Sequence, residues 1–306
     1  MMDKTYIEIV RLLLESAPAI FETPHFAMKG GTAINLFIED MPRLSVDIDV
    51  VYTDHQASRD EALKSISRGL AAARKRLVSV GIEAEISATK DGDEIKLFIR
   101  QGRNQVKVEV NHVFRGTVLP VETQRLGDEA RKLFTTELSV PVLAAPELYG
   151  SKLVAAMDRQ HPRDLFDVRG LFERGGLTAE VVECFVCYLA GHNRPVHEVL
   201  FSRDQDMSSA FENEFVGLTK NPVTLATLQQ IRRKLKKELP AALTTNQRQF
   251  LLGLVANEPD WRLMKCPHLS QLPALRWKLQ NLAKLKKSNP GKFAQQAEEL
   301  RARLAG

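Results

Sequence analysis

The chain has 306 residues, 44% hydrophobic and 26% charged, with a formal net charge of +5. Such a length buries a sizeable core in two domains, and the composition reads as soluble and globular. No apolar run approaches the roughly 20 residues that cross a bilayer, and the start, Met1-Met2-Asp3-Lys4, lacks the layout of a secretion signal. Three cysteines, Cys184, Cys187 and Cys266, are an odd number without a second CxxC, so they read as core thiols in a reducing cytoplasm.

Taken in chain order, residues 3–17 form an amphipathic helix and a loop follows around Pro24. Residues 30–40 form a short helix, 45–52 a strand, and 60–80 a long helix stopped by Gly81. Alternation predicts strands over 82–88, 94–100 and 105–111, with Asp91-Gly92 as a hairpin turn. Residues 118–145 are mixed, with a strand near 138–143. From Pro146 every periodic segment is helical: 146–159, 164–174, 178–190, 204–217, 223–239, 245–257, 274–287 and 290–304. The expected organisation is one domain over 1–145 and an all-helical one over 146–306.

The segment from Lys29 to Val50 carries the most chemistry. Gly30-Gly31-Thr32 opens a helix, whose first-turn N–H groups favour phosphate. In Ser45-Val46-Asp47-Ile48-Asp49-Val50 the strand period puts Asp47 and Asp49 on one face. Two carboxylates so placed repel unless a cation sits between them, and Mg²⁺ or Mn²⁺ is a hard ion suited to them. Ser45 either touches phosphate or ends the strand, the latter being favoured. Arg43 reads as a plain surface charge. A phosphate cradle beside metal-binding aspartates points to nucleotidyl or phosphoryl transfer.

These residues, GGTA followed by RLSVDIDV, resemble the signature of the DNA polymerase β-like nucleotidyltransferases. More narrowly they resemble the AbiEii/AbiGii branch, the toxins of type IV toxin–antitoxin and abortive-infection systems. The resemblance implies an α/β (α+β) catalytic domain with a mixed sheet, followed by the helical domain. It implies Mg²⁺ or Mn²⁺, an NTP substrate whose phosphates meet Lys29, Gly30, Gly31, Thr32 and Ser45, and a cognate antitoxin. It further implies an acid on a neighbouring strand. Glu109, on the polar face of Lys107-Val108-Glu109-Val110-Asn111, is the candidate third metal ligand with Asp47 and Asp49. Glu is one methylene longer than the Asp that many relatives carry here, which moves the expected metal position. Its plain alternative is an exposed partner of Lys107. Arg115 offers a further cation for phosphate.

Downstream, Lys152 lies in a helix running from Pro146, and Arg163-Asp164-Leu165-Phe166-Asp167 follows Pro162. In the AbiEii-like branch a Lys in this helix and a following RDxxD are signature motifs. The resemblance implies that Lys152 contacts NTP phosphates, that Asp164 and Asp167 shape or activate the site, and that residues 146–175 contribute to it. The alternatives are a snorkelling lysine and a helix cap with a surface ion pair.

Charge is unevenly spread. Residues 229–306 hold 16 Lys and Arg against 5 Asp and Glu, a net of +11, which leaves −6 for residues 1–228. A strongly basic tail beside an acidic site suits an enzyme whose second substrate is a nucleic acid. Some relatives modify the 3′ end of tRNA, so tRNA is the leading acceptor. The rival readings are nucleotidylation of a protein or small molecule, and a module that binds NTP or RNA without turnover.

Overall fold

The computed structural model of the protein describes residues 3–88 and 95–305. Its elements run α1 (Lys4–Phe21), β1 (Phe26–Lys29), α2 (Gly30–Ala33, continued by a π-helical turn, Ile34–Ile38), β2 (Asp47–Tyr52), α3 (Arg59–Ser79), β3 (Glu83–Ala88), β4 (Ile95–Gln101) and β5 (Asn104–Asn111). Then come β6 (Glu122–Arg125), α4 (Asp128–Phe134), β7 (Ser139–Val142), α5 (Ala145–Asp158), α6 (Pro162–Glu173), α7 (Ala179–Ala190), α8 (Val196–Leu200) and α9 (Ser208–Glu214). The chain closes with α10 (Leu225–Ala242), α11 (Thr245–Val255), α12 (Pro273–Ser288) and α13 (Pro290–Ala305). Both expected classes of element are present: a mixed sheet with helices, then helices alone. The turn expected at Asp91-Gly92 lies outside the described residues.

The chain divides into two compact units, Met1–Leu148 with Phe215–Pro222, and Tyr149–Glu214 with Val223–Gly306. In the first unit the sheet runs β3-β4-β5-β2-β1-β7-β6. The pairs β2–β5 and β1–β7 are parallel and the remainder antiparallel. A parallel pair needs a crossover, and between β2 and β5 the chain supplies α3 and the hairpin β3–β4. Helix α3 starts cleanly because Ser58 and Glu61 form a reciprocal capping box. The centre of the sheet is apolar: Ile48, Val50, Leu97, Ile99, Val106 and Val108 are fully buried. Helices α1 and α3 pack together and against the strands, burying Val10, Leu13, Ile66 and Leu70.

A single cut near residue 145 does not describe the chain. Residues 215–222, expected to continue a helix over 204–217 and then break at Asn221-Pro222, instead belong to the first unit as a turn and a short strap. Leu44 N–H donates to Leu218 O at 2.8 Å, Lys220 N–H to Pro42 O at 3.0 Å and Asp3 N–H to Gly217 O at 3.1 Å. Arg43 and Thr219 form an isolated bridge. Phe215 and Leu218 are buried, so apolar burial on the strap outweighs helix propensity. The strap grips the loop that leads into β2.

The second unit is helical. Threonine caps start three helices: Thr178 at α7, Thr224 at α10 and Thr244 at α11. Helix α7 is buried along nearly its whole length, and Cys184 and Cys187 inside it are buried thiols, as is Cys266. Among the described residues no helix is long and apolar enough to cross a membrane.

Candidate active site

In β2 burial alternates as the sequence pattern requires. Ile48 and Val50 are fully buried while Asp47 and Asp49 are partly open on the other face. The parallel register sets Asp47 beside Lys107 and Asp49 beside Glu109 on β5. Lys29 at the end of β1 stands opposite Asp49, and Lys96 on β4 stands opposite Glu109. One face of four strands therefore carries three carboxylates and three lysines.

The diglycine is fixed by this strand. Gly30 has φ +76°, in the left-handed region that glycine enters without cost. A Cβ on Gly30 would fall 2.0 Å from Asp49 Oδ2, so the carboxylate rests directly against the glycine backbone. A Cβ on Gly31 would fall 2.6 Å from Arg43 Nη2 and 3.1 Å from Ser45 Oγ. Thr32 is fully buried and its hydroxyl donates to the carbonyl of Asp47. Thus Gly30 and Thr32 lock the start of α2 onto the strand that bears the aspartates, and Gly31 packs it against the loop that leads into that strand. The Thr32 hydroxyl, expected to meet phosphate, is used for that clamp. Ser45 lies two residues before β2, which starts at Asp47 rather than at the expected residue 45, with its Oγ against Gly31.

Arg43 is where sequence reasoning missed. Expected as a surface charge, it is 2% exposed and lies behind Gly31. Its Nη1 donates to Leu44 O at 2.9 Å. A buried guanidinium keeps its charge and costs free energy unless its donors are met. The only sequence hint was its place three residues after the acidic pair Glu39-Asp40 and two before Ser45.

Glu109 is in register but otherwise engaged. Lys96 Nζ lies 3.0 Å from its carboxylate and Lys107 Nζ 3.4 Å, with Lys107 also 3.9 Å from Asp47 Oδ1. Partial burial alone would push the Glu109 carboxyl up. The hydrogen bond from Lys96 and the charge of Lys107 outweigh it and hold the group below the usual carboxylate range. Hard oxygen donors suit a divalent cation, and the Asp47/Asp49 pair supplies them. The expected trio is not drawn together, however. Among the described residues no group of three or more His, Cys, Asp or Glu side chains forms a metal cage. Lysine ammoniums neutralise Glu109 in its place. Arg115, offered as a phosphate cation, is buried, and its Nη1 donates to His112 O at 3.0 Å.

The second unit gathers the helical motif. Lys152 Nζ lies 2.8 Å from Asp164 Oδ1 and 3.0 Å from Asp167 Oδ2, with all three side chains at most 7% exposed. Arg159 grips Asp164 with two hydrogen bonds, Nε to Oδ2 at 2.6 Å and Nη2 to Oδ1 at 3.0 Å. The reading of Asp164 and Asp167 as a surface ion pair is therefore overturned by their burial. The buried Lys152 and the exposed Arg159 together balance the two buried anions, the condition under which charges survive in a core. Burial would push the Asp164 carboxyl up, but the charges of Lys152 and Arg159 and their hydrogen bonds hold it far below the usual range. Asp164 also sits in the first turn of α6, where the helix dipole favours an anion. Lys152 is thus enclosed by two carboxylates rather than presented at the surface.

Two neighbours were not foreseen. His161 caps α6, its Nδ1 accepting from Arg163 N–H at 3.2 Å. Burial and the charge of Arg163 hold its ring below the usual histidine range, which suits a neutral acceptor. Gln160, 1% exposed, joins Ser202, Arg203 O, Gln205 N–H and Arg232.

Comparison with known proteins gives the family and the fold. A family model described as nucleotidyl transferase AbiEii toxin, type IV toxin–antitoxin system, matches residues 11–281. Among solved structures the chain is similar to MenT4, a nucleotidyltransferase toxin from Mycobacterium tuberculosis. The TM-score is 0.61 at 20% sequence identity, covering 90% of this chain and 91% of that one, a likeness of fold. No curated protein matches the chain.

Proposed function

The chain belongs to the AbiEii family of nucleotidyl transferase toxins from type IV toxin–antitoxin systems, and from that premise we propose that it transfers NMP from an NTP to the 3′ end of tRNA. The observation that carries the reading is the Asp49 carboxylate seated against Gly30, with Asp47 tied through its carbonyl to Thr32. This contact joins the acidic strand to the helix start that favours phosphate.

Asp47 and Asp49 are the residues that would hold Mg²⁺ or Mn²⁺, with Glu109 as a third oxygen donor once Lys96 and Lys107 release it. Such a cation, when bound, neutralises phosphate oxygens and lowers the pKa of an attacking hydroxyl. The first-turn N–H groups at Gly30 and Gly31 orient the phosphates, and Lys29, Lys96 and Lys107 supply positive charge on the same strand face. An acceptor hydroxyl then attacks the α-phosphorus as pyrophosphate leaves in line. Lys152, Asp164 and Asp167 belong to the proposal as residues on which transfer depends. Their balanced charges hold Lys152 in one conformation. A cognate antitoxin is the partner that a type IV system brings.

The test incubates purified protein with Mg²⁺, each α-phosphate-labelled NTP in turn, and total tRNA, beside an Asp47→Ala/Asp49→Ala control. Label entering tRNA from one or two NTPs, absent in the control, is the expected result and names the base. Label on protein alone moves the acceptor to a polypeptide. Label on no acceptor, with NTP binding intact, overturns transfer to tRNA.

A further inference from the structure

Helix α12 buries Ala274, Leu275, Lys278 and Leu282. Its other side carries Arg276, Trp277, Gln280, Lys284 and Lys287, all exposed. At 3.6 residues per turn, positions 277, 280, 284 and 287 fall on one stripe, ~15 Å long. Trp277 is 52% exposed and is the one exposed Phe, Tyr or Trp among the described residues. Lys284 Nζ stands 5.9 Å from its ring centroid. Helix α12 contains no Asp or Glu, and among the described residues Arg276, Lys284 and Lys287 have no acidic partner. Helix α13, which packs against α12, carries exposed Lys292 and Arg301 as well.

We propose that this stripe is a platform for single-stranded nucleic acid, with an unpaired base stacked on Trp277 and phosphates held by Arg276, Lys284 and Lys287. The proposal rests on the reading that the acceptor is a nucleic acid, and adds the surface that receives it. Cations in the last turn favour the helix dipole and so account for Lys286 and Lys287 alone. That account does not reach Arg276, which sits near the positive end of the helix, nor an aromatic left in water. A polyanion with stackable bases relieves both: phosphates meet the cations, and each base offers a π-face to the indole. A protein partner would need acidic groups matched to the same three cations, and none of its features is written on this helix.

The full chain is titrated into a short fluorescein-labelled oligouridylate, read by anisotropy across a salt series. Trp277→Ala weakens binding roughly ten-fold or more while keeping the salt slope, because stacking is not ionic. Trp277→Phe restores most of the loss. Lys284→Gln/Lys287→Gln reduces the slope of log affinity against log salt by about 1.4, at about 0.7 per phosphate of a single strand. Binding by Trp277→Ala equal to the parent overturns the platform and hands the face to a protein partner. The Asp47→Ala/Asp49→Ala protein binds like the parent, so the two readings separate. Trp277-dependent binding without label transfer sinks transfer to tRNA alone, and tRNA labelling with Trp277-independent binding sinks the platform alone.

Discussion

Asp49 Oδ2 occupies the space where a side chain on Gly30 would begin, so the two residues are one steric unit. Gly30→Ala is expected to abolish transfer and lower stability. Backbone strain in the left-handed region costs about 1–2 kcal/mol, and the carboxylate must also move. Thermal denaturation beside the tRNA-labelling assay checks this, and an active Gly30→Ala protein would refute the coupling. The diglycine and both aspartates were legible in the sequence because turn chemistry and strand period are local. The reason for the glycines was not, since it lies in Arg43 and Asp49, brought in by the fold. The buried cluster repeats the lesson. The spacing of Lys152, Asp164 and Asp167 was readable, but their burial and the grip of Arg159 are tertiary. Asp164→Asn leaves Lys152 undercompensated in the core, a loss of about 3–5 kcal/mol. Because the folded carboxyl is held far below its ordinary range, its contribution is complete at neutral pH. That contribution is lost as pH falls from the unfolded carboxylate value of about 3.9 toward the folded one. Denaturant midpoints should therefore differ widely between parent and variant at neutral pH and converge in strong acid.

Between residues and domains stands the strap, Phe215–Pro222. Its backbone bonds to Pro42 and Leu44 hold the loop that carries Arg43 and leads to Asp47. Leu218 is 3% exposed. Leu218→Ala is expected to cost about 2–5 kcal/mol and to impair transfer more than its stability loss accounts for. The check is activity measured well below the variant's melting temperature. Parent-like turnover there would show that the strap does not position the strand. Elements with strong periodicity and caps, such as α3, α7 and α11, fell close to their expected ranges. The strap, β6, α4 and α8 were not read. Each is short, so its place is set by contacts distant in sequence rather than by its own pattern. The strap in particular follows an amphipathic stretch that continued the helical pattern.

At the scale of the whole molecule, the excess of +11 over residues 229–306 is not all available to a polyanion. Arg232 donates to Gln160 and Gln205 O, Lys236 to Ser202 O, and Arg248 to Leu304 O and Pro240 O. Lys278 is buried, its ammonium donating to His192 O at 2.8 Å and Arg194 O at 2.6 Å. These cations tie helices and loops together, while Arg276, Lys284 and Lys287 face water. The tail's charge thus divides into struts and surface, a division invisible to composition. Heparin elution and melting temperature separate the two sets. Neutralising Lys284 and Lys287 should lower the eluting salt at unchanged melting temperature, whereas Arg232→Met should lower the melting temperature with little change in elution. Lys278 adds a pH signature. Burial brings its ammonium down to about 8, against the smaller opposing pull of Glu198. Between that value and the ordinary ~10.4 the unfolded chain binds more protons than the folded one, so stability gains from this group as pH rises through the window. Lys278→Met removes that gain. A parent and variant with parallel stability curves from about pH 8 to 10 would mean that the two carbonyls keep the ammonium charged throughout.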